Sequence, residues 1–307
     1  KITWRRKMKQ LLALIKRNCK LFFKDKGMFL TSLISPAVLL VLYITFLANV
    51  YKNTLLDFVP KDTSNLIING IVGGELSSAL LAVSCVTVAF CSNLLMVQDK
   101  VNGTRNDLTI SPIKESILAF GYYISTVIVT LIVCYVSMII CFIYIACIGW
   151  FITFSDILLI MLDIFLLVLF GTALSSIINL FLKTQGQISA VGTIVSAGYG
   201  FLCGAYMPIS SFNPTLRKIL SFLPGTYGTS LIKNHMMQSA INEVNDLSWP
   251  SERIEALKDA LDCNIYFFDQ KVSIIMMYYY LIASIVVLLA IYIVLNFYQI
   301  NRKNKSN

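Results

Sequence analysis

The sequence predicts an all-α polytopic membrane protein. Six transmembrane helices follow an N-terminal amphipathic interfacial helix, with outer re-entrant helices after the fifth span. Three observations predict this. Hydrophobic residues make up 57% of the 307, charged residues only 13%, and mean hydropathy is +0.75, well outside the range of soluble domains. Weakly charged runs recur at about 27–50, 67–97, 117–152, 157–182, 187–207 and 272–300, each long enough to span as a helix. Seventeen of the 25 Lys and Arg fall in 1–26, 98–115, at Lys183 and after 300, which is one side of a six-span layout. That bias predicts both termini in the cytoplasm. The pI near 9.1 is a consequence of topology and calls for no nucleic-acid partner.

The stretch 1–26 reads as an elbow helix. Trp4, Met8, Leu11, Leu12, Ile15, Cys19 and Phe22 recur at helical spacing, while Arg6, Lys9, Lys16, Arg17, Lys20 and Lys24 cover most of the rest. One apolar stripe and a basic face suit the interface of an anionic membrane, and membrane lipid is an expected partner. The plainer alternative is a topogenic anchor. The first apolar run is longer than a signal-peptide core, and Pro36 is expected to kink it. In the second span Glu75 follows Gly73-Gly74, near the outer headgroups.

The loop 98–115 carries an Asn102-Gly103 turn signal. Ser111-Pro112 is an N-cap with proline at the first helical position. Between them Thr104 to Ile110 has the length of a short helix lying across the membrane face. The pattern fits a tight inter-helix loop equally well. Asp163 is the second intramembrane acid. Such groups usually face protein or water, so it reads as a hydrogen-bonded packing acid.

Along the fifth span Gly192, Ser196, Gly200 and Gly204 recur every four residues. A face of small side chains lets another helix approach closely, either within the subunit or from a second one. Beyond it, in 206–233, Pro208, Pro214 and Pro224 forbid a single straight helix. The Pro214–Leu223 piece is too short to cross a bilayer, so the stretch reads as re-entrant, with its polar backbone groups satisfied by protein or water. In the outer segment, charges of both signs and Trp249-Pro250 suggest a small helical cap or a loop. His235 is the single histidine and reads as a solvated surface residue without metal-site partners. Six of the eight cysteines fall in spans and none has CxxC spacing, so neither a disulfide framework nor a zinc site is supported. The sequence contains no GxxxxGK[ST] loop, HExxH or GxSxG, and the glycines at 198, 200 and 204 have the wrong spacing for a dinucleotide site.

Two stretches resemble a known family. The pattern DK-x-x-GT-R-x-DL-x-x-SP-I-K at Asp99–Lys114 resembles the loop between the second and third spans of type-2 ABC exporter permeases, the ABC-2 type, in bacterial multidrug and antibiotic exporters. GxxxPISSFxPxLRxxxxxLPGTYGxxLI from Gly204 to Ile232 is similar to the outer re-entrant motif of the same permeases. The resemblance divides the chain into an elbow helix at 1–26 and a six-span domain at 27–307. Within that domain lie a coupling loop at 98–115 and extracellular re-entrant helices with an outer cap at 208–271. The segment 234–271 is longer and more polar than minimal members carry.

The resemblance implies a permease subunit of an ATP-driven exporter, without catalytic residues of its own. It would sit in the bacterial plasma membrane and move an amphiphilic drug, peptide antibiotic or lipid-like molecule outward. ATP and Mg would be bound by a separate cytoplasmic ABC ATPase, and a second permease half, identical or different, would complete the route. Asp99, Gly103, Thr104, Arg105, Asp107, Leu108, Ile110, Pro112 and Lys114 are then the ATPase-coupling residues. Phe201, Tyr206, Pro208, Phe212, Pro214, Leu223 and Pro224 form the outer gate. Gly192, Ser196, Gly200 and Gly204 form the subunit interface, and Glu75 is the candidate pathway-facing group. The competing readings are an ion-coupled carrier using Glu75 and Asp163, or an intramembrane lipid-modifying enzyme. Against the carrier stands the lack of equivalent broken helices in two halves.

Overall fold

A computed structural model describes residues 2–60, 63–110, 113–246, 250–268 and 270–306. The elbow helix α1 (Ile2–Lys24) buries Leu14, Asn18 and Phe22 against the bundle and leaves Leu12 outside. The side chain of Trp4, part of the expected stripe, lies outside the described residues. Asp25 then caps a new helix, its carboxylate accepting from the Met28 amide at 3.1 Å.

The first long apolar segment, Lys26–Phe58, is built of pieces. α2 (Lys26–Ser32) gives way at Leu33 to α3 (Ile34–Leu42), a π-turn spans Tyr43–Leu47, and α4 (Ala48–Phe58) completes it. The break comes just before Pro36, whose ring crowds the carbonyl four residues back. The π-turn contains Thr45, whose hydroxyl bonds back to Val41 O and Leu42 O at 2.9 and 3.1 Å. Such back-bonding loosens the helical ladder.

α5 (Asn65–Val101) is the axis of the molecule and nearly all of it is buried. α6 (Thr104–Ile110) is the short helix expected in the following loop, entered through Gly103 at φ +80°. That left-handed conformation is open to glycine at little cost. Then come α7 (Glu115–Ile148), α8 (Phe154–Phe181) and α9 (Gln185–Leu202). Capping boxes start α8 (Thr153 with Asp156) and α9 (Thr184 with Gln187), each satisfying amides that a helix start leaves free. Asn93 on α5 donates to Ser175 Oγ and Ser176 Oγ on α8 at 3.0 and 2.8 Å.

The outer segment departs from expectation. A 3-10 turn at Ile209–Ser211 and the two-turn α10 (Pro214–Leu220) fit a proline-broken stretch. α11 (Pro224–Asp246) does not: it is a continuous helix of 23 residues. Residues 225–237 of it are buried, packed on α5 and α8. Proline at its first position costs no hydrogen bond, so Pro224 starts this helix. α12 (Ser251–Ala260) and the antiparallel pair β1 (Ile265–Phe267) and β2 (Gln270–Val272) form the cap. α13 (Ile274–Ser306) closes the bundle on α8 and α11. Among the described residues, five segments are long and apolar enough to cross a membrane: Lys26–Phe58, α5, α7, α8 and α13 through Gln299. α9, the expected fifth span, has 18 residues.

Candidate functional site

At the end of the bundle that carries both termini, α6 lies between α5 and α7. Ile110 at its tip is 85% exposed, and Asp107 and Lys114 are exposed beside it. Thr104 and Arg105 are half-buried. Leu108 instead packs against the main core, so it anchors the helix from within. Asp99 also departs from the expected set. Its carboxylate is buried and takes two bonds from the Arg17 guanidinium, at 2.8 and 2.9 Å, and one from Tyr122 Oη at 2.5 Å. The bonds it donates to Asp99 hold Arg17 still more firmly protonated than usual. Asp99 therefore clasps the elbow helix to α5 and α7 and is not turned toward a partner. Its neighbour Lys100 donates to Asn179 O and Leu180 O at 3.1 and 3.2 Å, a cation on the C-terminal carbonyls of α8, where the helix dipole favours it. Pro112 lies outside the described residues.

A groove of about 600 Å³ runs between α2, α3, α5 and α9. Gly192 and Ser196 line it, opposite Cys91 and Leu94. The other two small residues of the α9 stripe are used inside the subunit. A Cβ on Gly200 would meet the Tyr206 ring at 2.5 Å, so Tyr206 folds back onto α9. Gly204 takes φ +74° in the tight turn that follows. Tyr206 stacks edge-on against Phe201 at 5.1 Å. Phe201 is half-exposed, whereas Phe212 and Leu223 pack against the main core. Pro208 precedes the 3-10 turn, and Pro214 and Pro224 begin α10 and α11.

Two buried polar clusters tie α11 to the bundle. Lys233 Nζ lies 2.7 Å from Glu75 Oε1 and 3.9 Å from Asp262 Oδ2. It also donates to Gly204 O at 3.2 Å and Leu261 O at 3.3 Å. Asp262 accepts the Ile209 and Ser210 amides at 2.6 and 3.3 Å. Burial pushes the Asp262 carboxyl up, opposed by Lys233 and these amides. The second cluster is Asp163, which accepts from Tyr278 Oη at 2.5 Å and lies 2.6 Å from His235 Nδ1.

These clusters correct two expectations. Glu75 is fully buried against Lys233 rather than facing a groove, and His235 is an internal partner of Asp163 rather than a solvated residue. Sequence reasoning also missed Lys233, Asp262, Tyr278 and Arg17. The signal for one of them was present: two intramembrane acids, and Lys233 two residues from His235 on one helix.

Residues 9–237 match the family model for the ABC-2 type transporter. The chain belongs to that family. The matched region runs from the elbow helix through α6 and α9 to Met237 on α11, and so takes in the loop that carries α6, the small-residue groove, and Glu75, Asp163, Lys233 and His235 of the buried clusters; Asp262 and Tyr278 lie beyond it. No curated protein matches the chain. This ABC-2 protein is a multi-pass membrane permease, the transmembrane part of an ABC exporter. The family works with a cytoplasmic ABC ATPase and a second permease.

Proposed function

We propose that the chain exports an amphiphilic substrate, a drug, peptide antibiotic or lipid-like molecule, from a bacterial cell. It does so as one half of a dimer driven by two copies of a separate ATPase that bind ATP and Mg. The observation that carries the reading is Ile110, projecting at the tip of α6 with Asp107 and Lys114 exposed beside it. A short helix with one bare apolar side chain and flanking charges is suited to a cleft on a soluble partner. Both termini lie on that side, in the cytoplasm.

The Arg17–Asp99–Tyr122 clasp supports a lever role. A push on α6 passes into α5 one turn away and into α1 through the paired guanidinium, so the elbow and the central helix move together. The groove lined by Gly192 and Ser196 lies among the elements of the first, second and fifth spans, and it is where the second half and the substrate route would meet. The half-exposed Phe201 at the outer end of α9 would contribute to the exit constriction, where aromatic side chains exclude water.

Co-purification with the ATPase tests the reading. The permease should capture an ABC ATPase, and Ile110→Asp should abolish the complex while the variant elutes as the wild type does. Substrate-stimulated ATP hydrolysis by the reconstituted complex identifies the substrate. Transport without any ATPase overturns the proposal.

A further inference from the structure

On the flank away from the small-residue groove, α1, α7 and α13 enclose a second groove of about 510 Å³. Its floor is formed by Tyr123 and Tyr292, whose rings lie 6.1 Å apart, with Tyr292 Oη donating to Ala119 O at 3.2 Å. Its rim is apolar and open: Phe120 and Ile293 are each 52% exposed. The polar lining is gathered at one end. α7 leaves the terminus-bearing side and α13 returns to it, so Ser116 and Asn296 sit at the same mouth, with Lys7 of α1. From Ser116 to Tyr123 the groove deepens along seven residues of helix, about 10 Å at 1.5 Å per residue. Among the described residues lining it, Lys7 is the single charged one, with no carboxylate.

We propose that this groove is a binding site for one anionic phospholipid of the leaflet on the terminus side. Lys7 contacts the headgroup phosphate and an acyl chain lies along Phe120 and Ile293 toward Tyr123. A cation at a polar mouth above an apolar trough matches the charge and length polarity of such a lipid. Lys7 provides the electrostatic attraction that a basic residue offers at an anionic surface, and acyl burial adds to it. The bound lipid would fasten the elbow helix to α7 and α13. The proposal rests on membrane residence alone and is independent of what the permease transports.

Native mass spectrometry of the purified permease, with added phosphatidylglycerol or phosphatidylcholine, tests the site. The wild type should retain one phosphatidylglycerol at least tenfold more readily than phosphatidylcholine. Lys7→Glu, on an exposed side chain, should bring the two to parity. Ile293→Trp should lose both lipids by filling the trough, and Lys20→Glu on the exposed face of α1 should behave as wild type. Equal retention of the two lipids by the wild type overturns the proposal, as does an unchanged preference in Lys7→Glu. A second copy of the chain in the groove, seen as a dimer that Ile293→Trp breaks, also overturns it. If Ile293→Trp does not fold, the Lys7 and Lys20 variants decide.

Discussion

Lys233 Nζ and Glu75 Oε1 are 2.7 Å apart, and neither side chain reaches solvent. This pair fixes α11 to the central helix. With Asp262 it also ties the outer cap to the bundle through Ile209 and Ser210. Removing one partner of a buried pair strands the other charge, which typically costs about 3–5 kcal/mol. Lys233→Met should therefore lower the unfolding temperature in detergent sharply. The double variant Lys233→Met with Glu75→Gln should recover a large part of the loss, because no charge is then stranded between α5 and α11. Additive losses would show that the two residues act separately.

Arg17 and Asp99 join the elbow helix to α5 through two short bonds. Hydrogen bonds to charged groups contribute about 1.5–3 kcal/mol each at most, and Arg17 is partly exposed, which reduces the figure. Asp99→Asn should therefore leave the bundle folded and speed amide hydrogen exchange along α1. Unchanged exchange in α1 would remove the clasp from the account.

A Cβ at Gly200 would fall 2.5 Å from the Tyr206 ring. Gly200→Val must displace that ring and should cost about 1–3 kcal/mol, the range for overpacking. Pairing it with Tyr206→Ala should restore part of the loss, since residues in contact couple by about 0.5–3 kcal/mol. Thermal unfolding of the two single variants and the double checks this. If Gly200 instead serves only a contact between subunits, the monomeric stability of Gly200→Val will match the wild type.

In the outer cap Lys271 pairs with Glu255, and the lysine depresses the Glu255 carboxyl below its ordinary value. A depressed carboxylate stabilises the fold above the unfolded-state value, about 4.3. It loses that contribution as pH falls through the folded value. Both side chains are nearly half exposed, so solvent screening holds the effect below about 1 kcal/mol. Glu255→Gln should match the wild type in acid and be slightly less stable at neutral pH. A larger loss in acid than at neutral pH would contradict the sign.

Much of this was legible in the sequence. Gly103 ahead of a helix-length stretch placed α6, and Pro36 marked the break at Leu33. The heptad-like stripe of 1–26 gave the elbow. α11 was not legible, because Pro224, Lys233 and His235 read locally as a broken polar outer stretch. Proline is harmless at a helix start, and the two polar side chains are masked by Glu75 of α5 and Asp163 of α8, which lie at least 72 residues away in sequence. Pattern reasoning looks along one helix and misses pairs made across helices. The small-residue stripe of α9 was visible, but its division was not. Gly200 and Gly204 answer to Tyr206 and a turn, which leaves Gly192 and Ser196 at the groove.

On the proposed function, α6 is the point where an ATPase grips this permease. The most direct measurement is transport and ATP hydrolysis in vesicles holding the permease and its ATPase, compared between wild type and Ile110→Asp. Loss of both activities together with loss of the complex, in a variant that unfolds at the wild-type temperature, is the predicted result. Full transport by Ile110→Asp, or ATPase capture undiminished by it, would contradict the account.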